Sequence, residues 1–90
     1  MRSVNSAWKI KWEARALKEV SDLPKKDKRR ILTAVEELPA DPEKGSALKG
    51  KWTGLRRLRV GNFRIIYALF REELLIAVLR VGHRKNIYRL

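Results

Sequence analysis

The chain has 90 residues, 44% of them hydrophobic, with 22 Lys and Arg against 10 Asp and Glu, a net charge of +12, one histidine and no cysteine. That length allows one domain, residues 1–90, around one thin core; the composition excludes a disordered chain, a disulfide scaffold, a thiolate metal centre and a histidine-rich metal site. No apolar run approaches the roughly 20 residues of a membrane helix, and Met1 to Lys11 lacks the apolar middle of a signal peptide, so a cytoplasmic protein is expected; no residue pattern calls for a cofactor, and none is expected.

Trp8 to Trp12 (WKIKW) alternates apolar and basic residues, the pattern of a strand with one buried face. Ala14 to Leu23 carries Leu17, Val20 and Leu23 at helical spacing, and Ser21-Asp22-Leu23-Pro24 breaks it. Pro24 suits the first position of a second helix, because its missing N–H is unpaired there in any case. That helix runs from about Lys25 to Leu38 with Ile31, Ala34, Val35 and Leu38 as its apolar stripe. Its first turns hold Lys25, Lys26, Lys28, Arg29 and Arg30, cations that oppose the helix dipole. They read as a solvated helix start, with contact to a phosphate backbone or an acidic partner as the alternative. Pro39 and Pro42 end the helix, and Asp41 to Gly54 is a loop rich in Gly, Lys and Ser. Three strands follow: Leu55 to Val60, Phe63 to Phe70 across a Gly61-Asn62 turn, and Leu74 to Val81 across a turn near Arg71-Glu72-Glu73. The expected fold is α+β in the order β-α-α-β-β-β. Two helices pack on one face of a small, mainly antiparallel sheet and leave the other face open.

Charge is unevenly spread along this scheme. Residues 1–48 hold 11 basic and 8 acidic residues; residues 49–90 hold 11 basic and 2 acidic. A half so short of acids repels itself, which costs folding free energy unless an acidic partner offsets it. Nucleic acid is the commonest such partner. A membrane surface fits less well, because the basic half reads as strands and not as an amphipathic helix.

The two-residue turn predicts the register: Val60 with Phe63, Arg59 with Arg64 and Leu58 with Ile65. Leu58, Val60, Phe63, Ile65 and Tyr67 then share the helix-covered face, and Arg57, Arg59 and Arg64 share the other. A three-residue second turn would set Arg80 opposite Arg64 on that open face. A two-residue turn would push Arg80 into the core opposite Ile65, which an unpaired charge does not tolerate, so the longer turn is expected. Like charges opposed across a sheet destabilise it, and the row therefore points to function. Arginine suits phosphate because its planar fork reaches two oxygens at once.

Past the last strand comes Gly82-His83-Arg84-Lys85-Asn86-Ile87-Tyr88-Arg89. His83 is the one side chain with an unperturbed pKa near neutrality and could accept a proton beside the arginines; on spacing alone it is equally a surface histidine. Tyr88 could stack on a base or pack back on the sheet edge.

The run Leu55-Arg56-Arg57-Leu58-Arg59-Val60-Gly61-Asn62-Phe63-Arg64-Ile65-Ile66-Tyr67, with Val81-Gly82-His83-Arg84-Lys85 and Tyr88 after it and Leu48-Lys49-Gly50 before it, resembles the RelE branch of the RelE/ParE toxin superfamily. The resemblance covers about residues 8–90. It implies the RelE-like fold and the toxin of a type II toxin–antitoxin pair. It also implies a metal-independent endoribonuclease that enters the ribosomal A site and cuts mRNA by attack of the 2′-OH on the adjacent phosphate, leaving a 2′,3′-cyclic phosphate and a 5′-OH. By resemblance Arg57 and Arg64 hold the scissile phosphate, Arg84 helps protonate the leaving oxygen, Tyr88 stacks on or orients the base, and His83 falls where the family often has Lys or His. Lys49, Lys51, Arg56, Arg59, Arg80 and Lys85 are the expected RNA contacts around them. The implied partners are the ribosome, mRNA and a cognate RelB-like antitoxin, bound as a hetero-oligomer.

The chemistry agrees in part with these residues. Cyclising cleavage needs a base, an acid and positive charge on the phosphorane. Arginine supplies the charge but is a reluctant proton donor, so dependence on a ribosome that orients the substrate follows. Two rival readings stand: a ParE-like inhibitor of DNA gyrase, against which Arg57, Arg64, Arg84 and Tyr88 together argue, and an RNA-binding protein without chemistry.

Overall fold

The computed structural model describes residues 7–83. The alternation at the start becomes β1 (Lys9–Trp12), with Ile10 and Trp12 packed against the core and Lys9 and Lys11 exposed. Two helices follow, α1 (Ala14–Ser21) and α2 (Lys25–Glu36), the second continued by a 3-10 turn over Leu38–Ala40. After them come β2 (Ser46–Ala47), β3 (Leu55–Val60), β4 (Phe63–Phe70) and β5 (Leu75–His83). The sheet order is β1-β5-β4-β3-β2, antiparallel except for β1 beside β5. The fold class is the α+β arrangement expected, with one strand more. That strand, β2, is only two residues long, too short to show a period in the sequence.

Ala16 and Val20 of α1 and Ile31 and Val35 of α2, with Leu38, meet Leu58, Ile65, Tyr67, Ile76, Val78 and Val81 of the sheet. The expected α1 stripe is displaced. Leu17 is 52% exposed, and the Ala16–Val20 ridge, one position round the helix, faces the core. Pro24 stands one residue earlier than expected: it caps α2 in an extended conformation, and its carbonyl accepts the Lys28 N–H at 2.9 Å.

The β3–β4 register is the expected one, with Val60 opposite Phe63, Arg59 opposite Arg64 and Leu58 opposite Ile65. Gly61 takes φ +60°, as the first central residue of a type II′ hairpin turn requires. The β4–β5 register departs from expectation. Phe70 pairs with Leu75 across residues 71–74, and continued unchanged that pairing would set Arg80 opposite Ile65 in the core. The ladder slips between Ile66 and Tyr67, where Leu79 is an extra residue on β5. The bulge turns Arg80 to the other face, opposite Ile66, and sets Gly82 opposite Arg64. Keeping the charge out of the core is thus achieved by a bulge, not by turn length.

The Asp41–Gly54 segment is tied down, not free. The fully buried Tyr67 donates its hydroxyl to the Pro42 carbonyl (2.8 Å) and accepts the Gly45 N–H (2.9 Å). Ser46 and Ala47 can then pair with Arg57 and Arg56.

Candidate nucleic-acid interface

Side-chain alternation along β3 and β4 puts Arg57, Arg59 and Arg64 on the face of the sheet turned away from the helices. Arg59 and Arg64 are a directly opposed pair, and a shallow depression at the β3 edge is lined by Lys44, Gly45, Ser46, Arg57, Leu58 and Arg59. Neighbouring strands thus present three guanidinium groups to one surface, a concentration of charge and bidentate donors that suits phosphate oxygens.

Other expected contacts are placed differently. Arg80 lies on the arginine face by register, but its guanidinium is held by Glu19 of α1: Nε donates to Oε2 at 3.0 Å and Nη2 lies 2.9 Å from the same oxygen. It is 8% exposed. A desolvated, paired arginine has little left to offer a phosphate, so the structure gives the expected RNA contact at Arg80 an intramolecular partner instead. Arg56 falls on the helix-covered side with Tyr67. Its Nε and Nη2 donate to the Gly45 carbonyl, and Nη2 also to that of Glu43. Arg56, expected as an RNA contact, is in the structure a tether for the 43–45 loop. Lys49 and Lys51 are exposed on the loop before β3, Lys51 with its ammonium 5.3 Å from the Trp52 ring centroid.

By register His83 falls on the face opposite to that of Arg57, Arg59 and Arg64. It pairs with Phe63, on the face that Phe63 shares with Leu58 and Ile65, and its ring meets the Phe63 ring edge-on at 5.7 Å. Counting alternation back to Arg80 would have shown this from the sequence. Arg84, Lys85 and Tyr88 lie outside the described residues. Among the described residues no cluster of three His, Asp or Glu side chains could hold a metal ion, and no helix is long and apolar enough to cross a membrane.

Residues 10–88 match the family model of the ParE toxin of type II toxin–antitoxin systems. The toxin RelG of Mycobacterium tuberculosis is 31% identical over 86 residues, covering 89% of this chain and 94% of that protein. The chain belongs to the RelE/ParE superfamily of type II toxins. Among solved structures, this toxin superposes on a chain of the RelBE2 toxin–antitoxin complex of M. tuberculosis with a TM-score of 0.70 and 29% identity, covering 86% of this chain and 98% of that one. A chain of the archaeal RelE–RelB complex of Pyrococcus horikoshii gives 0.71 and 29%, with 92% and 98% covered.

Two residues without an evident role in the sequence organise the surroundings of the arginine face. Glu19 binds both the Arg80 side chain and the Val81 N–H, the latter at 2.8 Å. Tyr67 fixes the loop that flanks Arg57. Nothing local in the sequence ties Glu19 to a strand some sixty residues on; the only hint is that Arg80 needs an acid and the meander holds none outside its turn.

Proposed function

We propose that this toxin is a ribosome-dependent mRNA endoribonuclease. The observation that carries the reading is the set of Arg57, Arg59 and Arg64 on one face of adjacent strands, in a chain related to RelG and to RelE-type toxins. In this reading Arg57 and Arg64 hold the scissile phosphate and stabilise the charge that develops as the 2′-oxygen bonds to phosphorus. The 2′-OH loses its proton, the 5′-oxygen leaves and gains one, and the products are a 2′,3′-cyclic phosphate and a 5′-OH. Arg84 assists the leaving oxygen and Tyr88 stacks on the base. His83, turned towards Phe63, is assigned no step. The ribosome supplies orientation, which this face with its weak proton donors needs. A cognate RelB-like antitoxin is the partner, as RelB is in the complexes of the solved relatives, and its acidic residues offset a net charge of +12. The cytoplasm is where ribosome and antitoxin are met.

Primer-extension mapping of cellular mRNAs after brief expression tests the reading. Wild type gives cuts in phase with codons, and Arg84→Ala abolishes them. The family model bears the ParE description, which favours gyrase inhibition as the second reading. Loss of DNA supercoiling in a purified gyrase assay, with mRNA left intact, would select it.

A further inference from the structure

β1 covers β5 only as far as Val78, where the Glu13 N–H makes the last backbone bond of that edge at 3.0 Å. The chain then departs into α1, while β5 continues to His83. Beyond the Leu79 bulge no strand among the described residues lies beside the outer edge of β5. Val81 is nevertheless only 2% exposed, and its N–H needs an acceptor. The Glu19 carboxylate takes the place of the missing strand. Oε1 accepts the Val81 N–H at 2.8 Å, and Oε2 accepts Arg80 Nε at 3.0 Å and lies 2.9 Å from Nη2. Arg15, one turn before it on α1, lies 3.7 Å from the same Oε2, a second cation on the one carboxylate.

One side chain therefore sets the path of β5 directly after its bulge. The two residues next in line are Gly82, opposite Arg64, and His83, opposite Phe63. An ion pair this buried is a poor way to gain stability, and a longer β1 would satisfy the Val81 amide without one. We infer that Glu19 is a positioning residue: it holds the end of β5 in the register that sets Gly82 against Arg64. The inference rests on the nuclease reading only for the consequence in catalysis.

Two measurements on the full-length toxin test it. In hydrogen exchange, Glu19→Ala speeds the amides of Val81 and Gly82 by about tenfold or more while those of the β3–β4 hairpin keep their rates. In cleavage of ribosome-bound mRNA, Glu19→Ala lowers kcat by about tenfold to a hundredfold with KM little changed, as misplacement with binding intact does. Glu19→Gln leaves one oxygen for the Val81 amide but turns a donor towards Arg80. It keeps Val81 protected and loses less kcat than Glu19→Ala. Unchanged exchange at Val81 in Glu19→Ala overturns the inference. So does loosening of the hairpin amides to the same degree, which would make Glu19 a general stabiliser. If wild type cuts no mRNA, the nuclease reading fails, and the exchange measurement still decides whether Glu19 holds the end of β5.

Discussion

Arg59 and Arg64 stand directly opposite each other across the β3–β4 hairpin, two like charges at the pair whose side chains come closest in a ladder closed by a two-residue turn. Opposed like charges cost the sheet a few tenths to about 1 kcal/mol. Arg59→Thr replaces the exposed member with a residue that strands favour. It raises stability by about 0.2–1 kcal/mol, seen as a rise of a few degrees in the melting midpoint. The same variant binds polyanion more weakly. A melting midpoint that stays or falls would show that the pair is not strained and leave the row without a stability cost that function has to explain.

The buried Tyr67 hydroxyl serves Gly45 and Pro42 together. Tyr67→Phe leaves the Gly45 N–H without that acceptor and the Pro42 carbonyl without that donor, while preserving ring packing. Leaving buried partners unmade costs about 1–3 kcal/mol. Urea denaturation should show the midpoint falling with an unchanged slope, since the surface exposed on unfolding is the same.

Gly45 reports on the same loop from the backbone side. A Cβ there would lie 2.6 Å from the Arg57 carbonyl oxygen and 2.8 Å from the Tyr67 hydroxyl. The first of these is main chain in β3 and has no rotamer by which to escape. Gly45→Ala therefore displaces the loop and destabilises by about 1–3 kcal/mol. Lys44→Ala, an exposed neighbour, stays within about 0.5 kcal/mol of wild type. Equal thermal midpoints for the two variants would mean that the loop yields freely.

The parts of the molecule legible in the sequence are those governed by local rules. The Gly61-Asn62 turn ties β3 to β4 through a two-residue loop, so the Arg59–Arg64 pairing follows from counting. The core face of the hairpin follows from alternation. The illegible parts depend on interactions between distant segments. The Leu79 bulge leaves no mark in a run of apolar residues, and without it the register of β5 is misassigned. Arg80 looks like a further member of the row, and Arg56 like a further RNA contact, because their partners, the carboxylate of Glu19 and the carbonyls of Glu43 and Gly45, come from other elements. Composition counts the charges but does not say which face each occupies or which is withdrawn from solvent.

That division of the arginines can be measured through salt. For a protein on nucleic acid, removing one side chain that binds a phosphate lowers the slope of log affinity against log salt by about 1. Arg57→Ala and Arg64→Ala should each weaken binding to ribosomes or to a single-stranded RNA and flatten that slope by about 1. Arg56→Ala and Arg80→Ala remove groups already held by Gly45 and Glu19. They should lower the thermal midpoint, because Arg80→Ala takes from the partly buried Glu19 carboxylate its nearest cation, leaving Arg15 at 3.7 Å, and Arg56→Ala releases the loop, while the slope for the folded fraction stays that of wild type. Filter binding across a salt series, with melting curves on the same preparations, separates the two groups. A slope change for Arg80→Ala as large as for Arg64→Ala would show that Glu19 yields its arginine to RNA, and would return Arg80 to the interface.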